Sequence, residues 1–286
     1  MSGKLVKYDL LALARVLLPV QIGVLGVCIL VSIGLTITMR TNYGSNSFYG
    51  SGALDLLGSM SVLGVLLVCA VLLAGFFMTL FLVARHFYLN IYSDEGYLTM
   101  TLPATVNQHI ISKTVSGFIW VLINGLVMLL GIGIVYFFGL AYEGLINLDL
   151  VQSLEISLSH ITRYSPLLLV VYPLAVSVGA LGQLLCVYAC LAGGCAWAKK
   201  HRVALAVGLI FAVNIVTSII GSVGDAAVAT FTGDGSMLSF LYLGSTTQLY
   251  DYYLATSVVS LFIGGALIVA YYAFMHHSLA NRLNLE

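Results

Sequence analysis

The chain has 286 residues, of which 60% are hydrophobic and only 8% charged; eleven basic and eleven acidic side chains cancel. A soluble domain carries roughly 25% charged residues, so this composition excludes a water-facing surface over most of the chain and points to lipid as its solvent. Zero net charge leaves no electrostatic footprint for nucleic acid, and no nucleic-acid partner is expected.

The fold class expected is all-α, a polytopic membrane protein with six spans. Residues 1–15 open it as an interfacial helix. At 100° per residue Lys4, Lys7, Tyr8 and Arg15 share one stripe, and Val6, Leu10, Leu13 and Leu17 share the opposite one. Such a helix can lie in the membrane interface before the chain turns inward. Six stretches then lack Asp, Glu, Lys and Arg: Val16–Met39, Leu56–Ala84, Thr114–Tyr142, Tyr164–Ala198, Val203–Gly224 and Tyr252–Asn281. A spanning helix needs about 20 apolar residues, and unpaired backbone is not tolerated in hydrocarbon, so each stretch is read as a helix. The first is too long for a signal peptide's apolar region, so it is read as a retained span. Pro19 is placed near its start, where a missing N–H costs least.

Orientation follows from Lys and Arg. With the N-terminus inside, Lys4, Lys7, Arg15, Arg85, Lys113, Lys199, Lys200, Arg202 and Arg282 are cytoplasmic, leaving only Arg40 and Arg163 outside. Both termini are then expected inside. Residues 143–163 and 225–251 become extracellular segments. In the second, Ala226–Phe231 and Met237–Tyr250 are apolar enough to suggest a re-entrant pair.

The cytoplasmic segment 85–103 carries the most information. Phe87, Tyr88, Ile91 and Tyr92 recur at helical spacing, and their rings suit an interfacial depth. Ser93 and Asp94 can cap a helix or turn, Gly96 can end one, and Pro103 can begin the next. The expectation is a short helix along the inner surface, a turn, and a return into the membrane.

The stretch Tyr92-Ser93-Asp94-Glu95-Gly96-Tyr97-Leu98-Thr99-Met100-Thr101-Leu102-Pro103, followed by Ser112-Lys113, resembles the signature of the six-span permease subunits of bacterial type-2 ABC exporters. The resemblance implies that residues 85–103 are the coupling helix, with Tyr92, Ser93, Asp94, Glu95, Gly96 and Tyr97 at or near the contact with a separate ATPase. It also implies a second permease, identical or related, as partner, and the bacterial plasma membrane as location. The chain has no Gly-x-x-x-x-Gly-Lys-Ser/Thr loop, so ATP and Mg are expected on the partner and no cofactor in this chain.

No catalytic constellation is read from the sequence. Glu95 has only Asp94 beside it, with His86 and His109 distant in sequence. The five cysteines, Cys28, Cys69, Cys186, Cys190 and Cys195, fall in apolar stretches and are read as small hydrophobes, with no metal site expected. Within the spans, Gln21, Asn124, Gln183 and Asn214 are candidates for a substrate path, or for interhelical hydrogen bonds. An apolar interior suits a lipid, drug or peptide cargo. The competing functions are an ion-coupled carrier or channel and an intramembrane enzyme.

Overall fold

The computed structural model describes residues 2–44, 51–92, 105–143, 159, 162–163, 165–198, 201–231 and 246–281. Six helices follow one another: α1 (Ser2–Gly44), α2 (Ser51–Tyr92), α3 (Val106–Glu143), α4 (Leu168–Trp197), α5 (Arg202–Phe231) and α6 (Thr246–Asn281). Each is long and apolar enough to cross a membrane. Their outer faces carry Leu129, Phe211, Ile215, Phe262 and Val269 in exposed positions. That much exposed apolar surface suits lipid and would be an aggregation hazard in water.

All the helices but α4 are longer than the charge-free stretches. At 1.5 Å per residue the 43 residues of α1 extend about 65 Å, twice the roughly 30 Å hydrocarbon layer. The expected interfacial helix is therefore not a separate element: residues 2–15 are the first turns of an unbroken α1. Pro19 lies inside that helix, not in its first turn, so one interior i→i−4 hydrogen bond is missing there. Likewise Arg85–Tyr92 is the end of α2 and not a distinct surface helix. Ala226–Phe231 continues α5, which removes it as a re-entrant limb. Residues 93–104, 144–158 and 232–245 lie outside the described residues, and with them most of the coupling segment and of both extracellular segments.

The chain divides into two compact units. One comprises Met1–Asp9, Ala84–Phe118 and Ile156–Glu286; the other comprises Leu10–Val83 and Ile119–Glu155. In the first, α4 packs on α5 and α6, and α5 on α6. The stretch of α4 from Leu184 to Gly194 is buried throughout. Gly194 marks the tightest approach. A Cβ there would stand 2.7 Å from the Cβ of Ala206 and 2.8 Å from the carbonyl oxygen of Arg202, so only glycine lets α5 come this close. In the second unit, Cys28, Val68 and Leu72 form a buried cluster, with Val24, Val31, Met128 and Val135 packed around it. Such packing holds helices together where lipid tails are as apolar as leucine.

Candidate functional site

The first unit contains a buried ionic cluster built from three chain segments. Asp9 comes from the first turns of α1, His86 from the last turns of α2, and Ser112 and Lys113 from the start of α3. Lys113 Nζ donates to Asp9 Oδ1 at 3.0 Å, and Ser112 Oγ donates to Asp9 Oδ2 at 2.7 Å. His86 Nε2 lies 3.5 Å from Asp9 Oδ1 and 3.0 Å from Asn90 Nδ2. The Lys113 side chain is only 5% exposed and that of Asp9 15%. An ammonium this deep needs a counter-charge and hydrogen bonds, and Asp9 supplies both.

Aromatic packing continues the cluster into α4. Tyr188, fully buried, donates its hydroxyl to the carbonyl oxygen of Lys113 at 3.3 Å. Its ring stacks on Phe87, with centroids 4.0 Å apart and planes 10° from parallel. Phe87 and Ile91 are buried too. These positions had been expected at an interfacial, half-wet depth; instead their helical spacing aims them into a protein core. Ser278 of α6 donates to the carbonyl oxygen of Ala192 at 3.3 Å, joining α4 to α6. The end of α2 and the start of α3 are therefore tied to each other and to α4.

Of the residues assigned by resemblance to the ATPase contact, only Tyr92 is described. It closes α2 and packs near Phe87, with centroids 6.4 Å apart. Ser93, Asp94, Glu95, Gly96 and Tyr97 lie outside the described residues.

The four candidate path residues are divided between the two units. Gln21 and Asn124 meet in the second unit, where the sequence reading missed their third partner, Thr79. Gln21 Nε2 donates to Thr79 Oγ1 at 3.1 Å, and Asn124 Nδ2 donates to Thr79 Oγ1 at 3.0 Å and to Gln21 Oε1 at 3.3 Å. Thr79 donates in turn to the carbonyl oxygen of Gly75 at 2.8 Å. All three side chains are at most 3% exposed, so the cluster bonds α1, α2 and α3 together and is closed to solvent. Gln183 and Asn214 belong to the other unit. Asn214 donates to the carbonyl oxygen of Ile210 in its own helix at 2.8 Å.

Cys186 and Cys190 are buried on α4. Among the described residues no group of three or more His, Cys, Asp or Glu side chains is placed to hold a metal ion. Asp9 is the main residue that sequence reasoning missed. Its only signal was an acid on an otherwise basic, apolar segment, which reads equally well as a solvated charge.

The class this architecture defines is an all-helical protein with six helices long and apolar enough to span a bilayer, consistent with a multi-pass membrane protein. No family model, no curated protein and no solved structure matches the chain.

Proposed function

We propose that this chain is the permease subunit of a bacterial type-2 ABC exporter, driven by ATPase subunits on separate chains. The observation that carries the reading is the stretch Tyr92–Pro103 with Ser112-Lys113, for its resemblance to the signature of that family. Six long apolar helices are in keeping with it, and the distribution of Lys and Arg favours both termini on the cytoplasmic side of the plasma membrane. The working unit is a pair of permeases, and the cargo is amphipathic or hydrophobic.

In this mechanism ATP binding closes the partner ATPases and displaces the segment between α2 and α3. A lever transmits force only if its base is stiff. Both stems of this segment are braced: the α2 side by the Phe87–Tyr188 stack, the α3 side by Asp9–Lys113 and by the Tyr188–Lys113 hydrogen bond. Displacement therefore passes into α4 and the N-terminal turns of α1 instead of being absorbed locally. This chain itself makes and breaks no covalent bond.

The test is co-purification from the native membrane followed by substitution. An ATPase bearing a phosphate-binding loop should accompany the chain. Replacing Asp94, Glu95 or Tyr97 with alanine should weaken that complex or separate ATP hydrolysis from transport. Intact assembly and intact ATP-driven transport in all three variants would remove the coupling assignment.

A further inference from the structure

The first unit contains a groove of about 290 Å³ between α3, α4 and α6. Buried Leu185 forms its floor, and Ile111, Val115, Ile268, Val269 and the ring of Tyr272 form its walls. The surface it presents is wholly apolar; even Thr114, on its border, contributes no polar atom. Ile111, Val115 and Val269 are exposed, Val269 by 68%, so the groove opens sideways on the outer faces of spanning helices. Toward the start of α3 and the end of α6 the chemistry changes. There the Tyr272 hydroxyl donates to Asn107 Oδ1 at 3.3 Å, and the His276 ring stacks on Tyr272 at 6.5 Å.

Chemistry narrows the occupant. A polar solute would find no partner on these walls. An extended peptide would leave its N–H and C=O groups unpaired at this depth. A single hydrocarbon chain has neither problem, and bilayer tails surround this face already. We propose that the groove binds one acyl chain of a membrane phospholipid, with the lipid's polar end at Asn107, Tyr272 and His276. Because the surrounding tails are as apolar as the groove, retention rests on its concave shape and polar rim. The inference depends on the helices lying in a bilayer and not on the ATPase reading.

The full-length chain, reconstituted in phosphatidylethanolamine–phosphatidylglycerol vesicles, is photolabelled without ATP by a phospholipid carrying a diazirine on one acyl chain. Labelled peptides are then mapped by mass spectrometry. Labelling should saturate and concentrate several-fold on Ile111, Val115 and Val269 relative to Phe211 and Ile215, which are exposed on α5. Val269→Trp, or independently Ile111→Trp, should fill the groove and abolish that excess; both sites are exposed, so the fold tolerates them, as size-exclusion profiles would verify. Equal labelling of groove and α5 would overturn the proposal, as would an excess that persists in both variants. Cross-links joining two copies through the groove would overturn it in favour of a protein occupant. The outcome reads the same whether or not an ATPase accompanies the chain.

Discussion

Replacing Asp9 with leucine takes from the Lys113 ammonium, 5% exposed, the carboxylate paired with it. Removing one partner of a buried ion pair costs about 3–5 kcal/mol. Asp9 keeps 15% exposure, so water reaches the cluster from one side and the lower end applies, about 3 kcal/mol. That is roughly a hundredfold shift in the folding equilibrium. Lys113→Met should cost a similar amount, because it leaves the carboxylate with only Ser112 and His86. The double variant Asp9→Leu with Lys113→Met removes both charges and both desolvation costs, so it should lie near the unsubstituted chain. Two single losses of about 3 kcal/mol each with a near-neutral double variant give a coupling of about 6 kcal/mol. The assay is unfolding in mixed micelles, followed by the fluorescence of the chain's two tryptophans. The coupling should change little as salt rises from about 0.1 M to about 1 M, whereas a surface pair would be screened. Additivity within about 0.5 kcal/mol, or a coupling that vanishes in salt, would refute the buried-pair argument.

Three further outcomes are expected from the same unfolding assay. Thr79→Val removes the hydroxyl that accepts from Gln21 and Asn124 and donates to Gly75; at about 0.6–1.7 kcal/mol per interhelical bond, the loss should be about 1–3 kcal/mol, and a neutral result would show that the amides re-pair. Gly194→Ala should cost about 1–3 kcal/mol, since its Cβ meets backbone atoms of Arg202 and Ala206. Gly131→Ala should cost less, since its tightest contact, at 2.9 Å, is the tip of the Leu72 side chain; the reverse order would contradict the close approach of α4 and α5. Tyr188→Phe should cost about 0.5–1.5 kcal/mol for the single long hydrogen bond to Lys113, but Tyr188→Ala about 3–5 kcal/mol for the lost core ring, and equal effects would deny the stack on Phe87 its role.

The six helices were legible because their signal is local. Absence of charge over twenty or more residues, with every backbone group needing a partner in hydrocarbon, leaves little choice but a helix. Helix ends were less legible: Ala226–Phe231 and residues 2–15 simply prolong their neighbours, because each residue added to an existing helix gains one hydrogen bond without a new nucleus. Polar residues divided by the same rule. Gln21 and Asn124 stand out in apolar runs, but Thr79 does not, since a threonine in a helix can satisfy itself on its own preceding turn.

Sequence alone determined the class of fold and the number of candidate spans, both of which depend on composition within a window. Tertiary structure alone decided which polar groups meet. Asp9 and Lys113 are 104 residues apart, and each lies in a stretch where a charge can pass for a solvated one. Only packing of the first turns of α1 against the stems of α2 and α3 removes water from both, and that removal turns two ordinary charges into a pair neither can leave.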